Sequence, residues 1–372
     1  MTSSPASRDA LPALTGLRFW AALLVVLYHL SRRFGPLPLL GPLTWYGRDG
    51  VTLFFVLSGF VLAWTYHGSP VGPLRCYRRR LARIWPLHAV TTAASLAVYA
   101  ALGAAVPLTA GLWSLTLLHP WLPALAKGGN PASWSLGDEA FFYLLLPWLL
   151  VLLGPRRRWW RPLGLLCALA GPLLWSAGAL VADPALRWWA LDYLPLARLP
   201  QFLLGVLAAL AVRSGHRLGG ARWWALGVLS WHAVLVPWSA AAPDQAWYGP
   251  YSAAQLFPAP LYAGLITALA RPTGPALLAS RWARRLGHWS FAWYLCHEIV
   301  LRCWPPGHAV LGRLLPAPLA LALAGALHHL VEAPAERRLR GEGRPVGGTA
   351  ADSTAVVTAA VDSTAPSATA VA

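Results

Sequence analysis

Apolar segments of about 20 residues recur along nearly the whole chain, and each is long enough to cross roughly 30 Å of hydrocarbon as a helix. Only 12% of the residues are charged and 57% are hydrophobic, whereas a soluble domain carries about 25% charged residues. The sequence therefore predicts an all-α polytopic membrane protein, a bundle of about ten transmembrane helices. We place the spans near residues 11–31, 50–67, 84–104, 139–154, 162–182, 192–212, 223–241, 250–270, 287–304 and 309–332.

The net charge of +17 comes mostly from arginines that cluster in every second loop. Cytoplasmic loops carry such an excess of basic residues, so we expect both termini in the cytoplasm and membrane lipids as partners. No basic stretch lies in a soluble domain that could present it to nucleic acid, which we exclude as a partner. The clusters are Arg75 to Arg83, Arg156 to Arg161, Arg213 to Arg222, Arg271 to Arg285 and Arg337 to Arg340.

Two stretches fall outside the ten spans. Residues 111–125 are apolar, but counting them as a span would invert the later alternation, so we interpret them as a re-entrant or surface-lying piece. From residue 345 onward the sequence is small and polar and cannot bury enough apolar surface to fold. We therefore expect one transmembrane domain over residues 1–344 and a disordered cytoplasmic tail over residues 345–372. The four cysteines form no CxxC pair, and we expect no metal site.

Two ionisable side chains, Arg18 and His29, fall within the first predicted span. Eleven helical residues turn about 1100°, within roughly 20° of a whole number of turns, and rise about 16 Å. Both side chains therefore project from one face, one near each end of the span. Ionisable groups inside a membrane are functional candidates by default. The alternative is that Arg18 extends to the headgroups and His29 ends the helix at the opposite interface.

Glu139 is the acidic residue inside the fourth predicted span, next to Asp138 at its start. Ser135 and Asp138 stand three residues apart, which is the spacing of a capping box. We interpret Asp138 as a cap and Glu139 as a carboxylate that faces the bundle. The helix dipole also favours a carboxylate at this position, so a structural role for Glu139 stays open.

Arg80 and Arg83 lie just before the third predicted span. Planar guanidinium groups bind phosphates bidentately, which favours a cytoplasmic anion site, although positive-inside anchoring explains these two arginines as well.

In the ninth span His297 and Glu298 are neighbours. Adjacent helical positions point about 100° apart, and we therefore expect these two not to serve one site together.

Six segments in a fixed order resemble the membrane-bound acyltransferase-3 family, bacterial O-acyltransferases of polysaccharides, envelope components and natural products. The likeness covers about residues 10–340; each segment alone is weak, but their order is specific. Two positions depart from the family pattern, Thr52 where many members carry Asp and Cys296 where an aromatic residue is common. The segments are Leu14 to Arg18 with Tyr28 and His29, residues 50–60, Arg80 to Pro86, Trp134 to Leu136 with Glu139 and Tyr143, Ser290 to His297, and Val331 to Pro334.

The resemblance implies a multi-pass enzyme of the bacterial plasma membrane that moves an acyl group, acetyl or another short chain, from cytoplasmic acyl-CoA to a hydroxyl. The acceptor would be a carbohydrate, an envelope component or a secondary metabolite such as a macrolide. Acyl-CoA would be a co-substrate, and no cofactor would be bound permanently. The CoA phosphates would meet Arg80 and Arg83.

In the mechanism that the resemblance implies, Arg18 would orient the donor or stabilise charge on the thioester oxygen. His29 would accept the proton of the attacking hydroxyl, unless a covalent acyl-histidine forms. Glu139 would polarise His29 or position the acceptor. The matching segments add candidate substrate-binding residues, which are Trp134, Ser135, Tyr143 and His297.

The leading alternative is a transporter or flippase of a lipid-linked or small polar substrate, which also needs many spans and buried polar groups. Such proteins favour inverted repeats, and the two halves of this sequence show no such symmetry. The identity of the acceptor, the length of the acyl chain and the oligomeric state stay open at this point.

Overall fold

The computed structural model describes residues 11–35, 41–68, 72–104, 108–154, 156–216, 218–241, 249–271, 274–305 and 310–340. Within these ranges the chain is helical and has no strand, which confirms the all-α fold class. The helices are α1 (Pro12–Phe34), α2 (Gly41–Trp45), α3 (Gly50–Tyr66), α4 (Pro73–Ala101), α5 (Leu108–Leu115), α6 (Trp134–Leu153), α7 (Trp160–Gly178), α8 (Pro184–Asp192), α9 (Pro195–Arg213), α10 (Ala221–Ala241), α11 (Gly249–Leu256), α12 (Ala259–Leu269), α13 (Ala276–Ala279), α14 (Arg281–Cys303), α15 (Val310–Leu314), α16 (Pro316–Leu327) and α17 (Ala333–Arg340).

Seven helical segments in the described ranges are long and apolar enough to cross a membrane. They contain α1, α3, α4, α6, α8 with α9, α11 with α12, and α16 with α17. Three further predicted spans coincide with α7, α10 and α14, which do not meet the same criterion. The structure is that of a multi-pass membrane protein, but the predicted count of ten spans and the side of the termini are not confirmed.

The apolar stretch at residues 111–125 does not form a spanning helix. It folds as the end of α5 and two 3-10 turns, His119–Trp121 and Pro123–Leu125. Helix α5 has eight residues and is therefore only about 12 Å long, too short to cross. The predicted tail, residues 345–372, lies outside the described residues.

Two close helix crossings organise the centre of the bundle. A Cβ atom added to Gly205 of α9 would lie 1.9 Å from the carbonyl oxygen of Val56 on α3, and one added to Gly287 of α14 would lie 2.0 Å from that of Thr15 on α1. Small residues let helix backbones approach inside a membrane, where no hydrophobic effect drives the helices together. The helices that carry Arg18, His29, His297 and Glu298 are held in this way.

We predict that Gly205→Ala destabilises the protein, because the added methyl group would overlap the Val56 carbonyl and force α3 and α9 apart. Overpacking of this kind costs about 1–3 kcal/mol and should lower the melting temperature of the detergent-purified protein. The control is Gly164→Ala on α7, where the added Cβ would meet a side chain at an ordinary 3.9 Å. Equal melting temperatures for the two variants would contradict the close crossing.

Candidate active site

A cavity of about 300 Å³ lies at one end of the bundle, between α1, α14 and the segment that precedes α3; we call it the His29 cavity. Its wall is aromatic and basic, and Glu298 is the acidic residue among the described side chains that line it. Aromatic rings with a few polar groups are typical of a site that binds an organic substrate. The rings belong to Tyr28, Trp134, Trp188, Tyr193, Tyr251 and Tyr294, and the cations are Arg32, Arg33, Arg48, Lys127 and Arg302.

His29 contacts two neighbouring residues of α14 at once. Its Nε2 lies 3.0 Å from Oε1 of Glu298, and its Nδ1 lies 3.1 Å from Nε2 of His297. The expectation that His297 and Glu298 do not serve one site is therefore wrong. The two nitrogens of the His29 ring point in different directions, so each meets one of two side chains that diverge by about 100°. Glu298 is a site residue that sequence reasoning missed.

The hydrogen-bond partners of the ring nitrogens show where a proton must lie. Nδ1 of His297 faces two backbone carbonyls of the preceding turn, so it donates and leaves Nε2 as an acceptor. Nδ1 of His29 must then be the donor to His297 and to the carbonyl of Val25, which leaves Nε2 of His29 facing the Glu298 carboxylate. Two acceptors do not meet at 3.0 Å without a proton between them. His29 and Glu298 therefore share one exchangeable proton at the cavity wall.

The same three side chains are the group in the described ranges with metal-ligand spacing. One ligand atom each of His29, His297 and Glu298 lies within 4.8 Å of the others, and this set of donor types binds zinc in other proteins. The charge around them opposes a dication, because five cationic side chains line the cavity. Burial, followed by the charge of Arg48, lowers the pKa of Lys127 to about 8, so Lys127 remains mostly charged at neutral pH. The site suits proton transfer better than metal binding.

A buried network centred on Asp192 supports the His29 cavity from behind. Asp192 lies 3.1 Å from a guanidinium nitrogen of Arg48 and 3.7 Å from one of Arg198. Gln255 donates a hydrogen bond to Asp192 and accepts one from Arg198 at 2.9 Å. One carboxylate thus balances two guanidinium groups, and the network leaves positive charge next to the cavity.

The segment before α3 brings Arg48 to this place. A Cβ atom added to Gly47 would lie 2.3 Å from the carbonyl oxygen of Leu24, and one added to Gly50 would lie 2.4 Å from that of Ala21. Only glycine allows the 3-10 turn Gly47–Asp49 to lie this close to α1. Sequence reasoning assigned Arg48 no role. It also passed over Asp192 and Arg198, although both lie in the sixth predicted span, where an ionisable side chain is a signal in itself.

Arg18 and Glu139, both predicted to be catalytic, lie together at a second, smaller cavity of about 50 Å³, which we call the Arg18 cavity. Tyr143 also lines it and donates a hydrogen bond to the Glu139 carboxylate. The carboxylate that contacts His29 belongs to Glu298, so the structure gives Glu139 a place beside Arg18 instead. Arg18 itself makes no ion pair with a carboxylate in the described part of the chain, and its guanidinium faces the cavity.

The start of α6 differs from the prediction. The helix begins at Trp134, and its N-cap residue Ser133 makes no side-chain capping bond, so the predicted capping box of Ser135 and Asp138 is wrong. Ser135 lies one residue inside the helix and its hydroxyl lies 2.8 Å from that of Tyr294. Asp138 is fully buried. The α6 helix therefore directs Ser135 toward α14.

The two predicted anion-binding arginines have different partners. Arg83 lines the Arg18 cavity, but it lies 3.3 Å from Glu336 and 3.8 Å from Glu332, and these carboxylates would compete with a bound anion. The guanidinium of Arg80 lies over the ring of Tyr66, 5.6 Å from its centroid. Among the described residues Arg80 has no carboxylate partner, so it is the better placed of the two for binding an anion.

The Arg18 cavity and the His29 cavity adjoin. Val51 and Tyr294 line both of them, so one aliphatic and one aromatic side chain form the wall between the two. Arg18 and His29, which are predicted to lie on one face of α1, thus lie on opposite sides of this wall. Each remaining candidate residue lies at or beside these cavities: Trp134 lines the His29 cavity, Ser135 and Tyr143 line the Arg18 cavity, and His297 contacts His29.

Comparison with known proteins indicates the family to which this chain belongs. The sequence profile of a family described as an acyltransferase domain matches residues 11–327. A curated relative, the acyltransferase MdmB of Streptomyces mycarofaciens, is 35% identical over 381 aligned residues, which cover 90% of this chain and 94% of that protein. The chain therefore belongs to the acyltransferase-3 family, as its motifs predict. No solved structure matches the chain at a significant level.

We predict that Asp192→Asn destabilises the protein strongly, because it leaves Arg48 and Arg198 buried without a compensating charge. Breaking a buried ion pair in this way costs about 3–5 kcal/mol, which should appear as a large loss of melting temperature. Asp183→Asn is the matched control, since Asp183 caps α8 from an exposed position and asparagine caps equally well. If Asp192→Asn and this control have the same melting temperature, Asp192 does not stabilise the protein by neutralising Arg48 and Arg198.

Proposed function

We propose that this protein is a membrane O-acyltransferase that takes its acyl group from acyl-CoA and transfers it to a hydroxyl in the His29 cavity. The observation that carries the proposal is the adjoining pair of cavities in a chain of this family. One holds the Arg18 guanidinium, which makes no ion pair in the described ranges, and the other holds a histidine–carboxylate pair that shares a proton. Donor and acceptor would meet at the wall of Val51 and Tyr294.

The donor would enter from the end of the bundle at which Arg80 lies. Arg80 stands beside a groove of about 1010 Å³ that is also lined by Tyr143 and Ile84, and both of these residues line the Arg18 cavity as well. A phosphate bound at Arg80 would leave the pantetheine arm to run past Tyr143 toward Arg18. There the guanidinium would bind the thioester carbonyl oxygen and stabilise the negative charge that develops on it.

The acceptor would bind among the rings of the His29 cavity. As its hydroxyl oxygen attacks the thioester carbonyl carbon, the proton that His29 and Glu298 share moves to the carboxylate, and the hydroxyl proton takes its place on Nε2 of His29. The carbon–sulfur bond then breaks, CoA leaves as a thiolate that receives the additional proton back from the His29–Glu298 pair, and the acyl group remains on the acceptor as an ester. General-base assistance of this kind contributes roughly 10²–10⁴-fold.

Further parts of the proposal follow from the family and the sequence. We place the protein in the bacterial plasma membrane, with the Arg80 end of the bundle facing the cytoplasm, where acyl-CoA is found and where the arginine clusters belong. An acetyl or other short acyl group and a carbohydrate, envelope component or secondary metabolite as acceptor are its proposed substrates. Arg83 would tie α4 to the C-terminal helices through Glu332 and Glu336.

The test is release of free CoA, detected with a thiol reagent, after purified protein is mixed with acetyl-CoA and a panel of hydroxylated acceptors. An acyltransferase releases CoA in the presence of its acceptor and forms an acylated product of the expected mass. A transporter or flippase leaves the thioester intact with every acceptor of the panel, and that result would overturn the proposal.

We predict that His29→Ala lowers the transfer rate by about 10²–10⁴-fold, because the proton of the hydroxyl then lacks its base. Glu298→Gln should cause a smaller loss, since the amide keeps the shape of the side chain but cannot take up the proton that Glu298 shares with His29. Transfer rates are measured with folded protein, checked by its melting temperature. The control is His329→Ala, at an exposed histidine of the π-helical segment. Near-normal turnover by folded His29→Ala would remove the catalytic assignment.

We predict that Arg80→Ala and Arg18→Ala each weaken acyl-CoA binding by about 10- to 100-fold, the effect of losing a hydrogen bond to a charged or polarised group. Isothermal titration of the purified variants with acetyl-CoA measures this loss. Arg83→Ala should change the affinity less and the melting temperature more, because Arg83 is already paired with Glu336. Arg338→Ala on the exposed face of α17 is the control. Unchanged affinity in Arg80→Ala would return that arginine to membrane anchoring.

A further inference from the structure

The wall between the Arg18 cavity and the His29 cavity is thin and fixed in place. Val51 and Tyr294 are both buried, at 5% and 6% exposure. The hydroxyl of Tyr294 is hydrogen-bonded to that of Ser135 at 2.8 Å, and its ring packs edge-on against Phe54 with 6.0 Å between the ring centroids. A tyrosine bonded in this way extends from α14 to α6 and lines both cavities.

We propose that Val51 and Tyr294 select the donor by the length of its acyl chain. This inference rests on the proposed function, because it assumes that the acyl group approaches His29 from the Arg18 side. On that route the acyl carbon must reach the wall while the thioester oxygen stays at Arg18. The acceptor attacks the carbonyl carbon itself, so the rest of the acyl chain must fit in the Arg18 cavity beside this wall.

The size of the Arg18 cavity sets a short limit. The cavity measures about 50 Å³ and its wall contains three phenylalanines, Phe54, Phe55 and Phe291. A two-carbon group needs little more than this space, whereas each further methylene must displace a buried side chain, and such overpacking is costly. Tyr294 moves only after it gives up its bond to Ser135. The protein should therefore prefer acetyl to longer chains.

The groove beside Arg80 is the competing place for a long chain. It is larger, at about 1010 Å³, and its lining includes Leu74, Leu81 and Leu144. A chain bound there would not contact Val51 or Tyr294, and longer donors would bind as tightly as acetyl-CoA or more tightly, because the groove would bury more of their apolar surface. The two arrangements therefore differ in how affinity depends on chain length.

The experiment is isothermal titration of the full-length protein in detergent with acetyl-, butyryl- and hexanoyl-CoA. We expect the wild type to bind hexanoyl-CoA at least tenfold more weakly than acetyl-CoA. Val51→Ala should reduce this ratio about tenfold, the effect of one or two methyl groups in a packed site. Tyr294→Phe keeps the ring but removes the bond to Ser135, and it should reduce the ratio about two- to tenfold. Val56→Ala, a fully buried valine of the same helix that lines neither cavity, should keep the wild-type ratio.

The outcomes separate this inference from the function on which it rests. If the wild type binds hexanoyl-CoA as tightly as acetyl-CoA or more tightly, or if Val51→Ala and Tyr294→Phe both keep the wild-type ratio, the wall does not select the chain, while acyl-CoA use by the protein stands. If the wild type binds none of the three thioesters, the proposed donor is wrong and the chain-length inference is overturned with it. Tyr294→Phe keeps the test decisive should Val51→Ala fail to fold.

Discussion

The contact between His29 and Glu298 is the interaction on which the rest of the site depends. Inside a membrane an ionisable side chain is tolerated only with a partner or a water-accessible surface, and here each side chain is the partner of the other. Because His297 and the Val25 carbonyl fix the donor at Nδ1, the exchangeable proton lies on the face of His29 that lines the cavity. The half-buried histidine and its carboxylate thus form a proton acceptor for a molecule bound among the surrounding rings.

The same requirement for partners explains the division of the polar residues into groups. Asp192 neutralises part of the charge of Arg48 and Arg198, and Glu332 and Glu336 hold Arg83. Arg18 lies in a span and lines a cavity, and it makes no ion pair in the described ranges. A guanidinium without an ion pair in that place fits a site that receives its negative charge from a substrate, which is the role that the proposed function gives it.

Much of the fold and part of the site follow from the sequence. The length of the apolar segments predicts the helices, and the eleven-residue spacing of Arg18 and His29 predicts that the two side chains share a face. Each of these predictions depends only on the geometry of a single helix. Glu298 could not be assigned in this way: its role depends on how the His29 ring sits between two side chains of another helix. The capping box failed for a similar reason, since the 3-10 turn Pro131–Ser133 leads directly into α6 and moves its start upstream of Ser135. Spacing along one helix is predictable, whereas contacts between helices require the fold.

A structure of the protein with a non-hydrolysable acetyl-CoA analogue would test the central claim most directly, namely that donor and acceptor occupy opposite sides of the wall of Val51 and Tyr294. We expect the phosphates at Arg80, the carbonyl oxygen at Arg18 and the acyl carbon at the wall, within reach of a hydroxyl in the His29 cavity. The His29 cavity is itself basic and aromatic, and it offers the alternative. If the nucleotide of the analogue lay there, among Arg48, Lys127 and Arg302, the assignment of the two cavities would be contradicted.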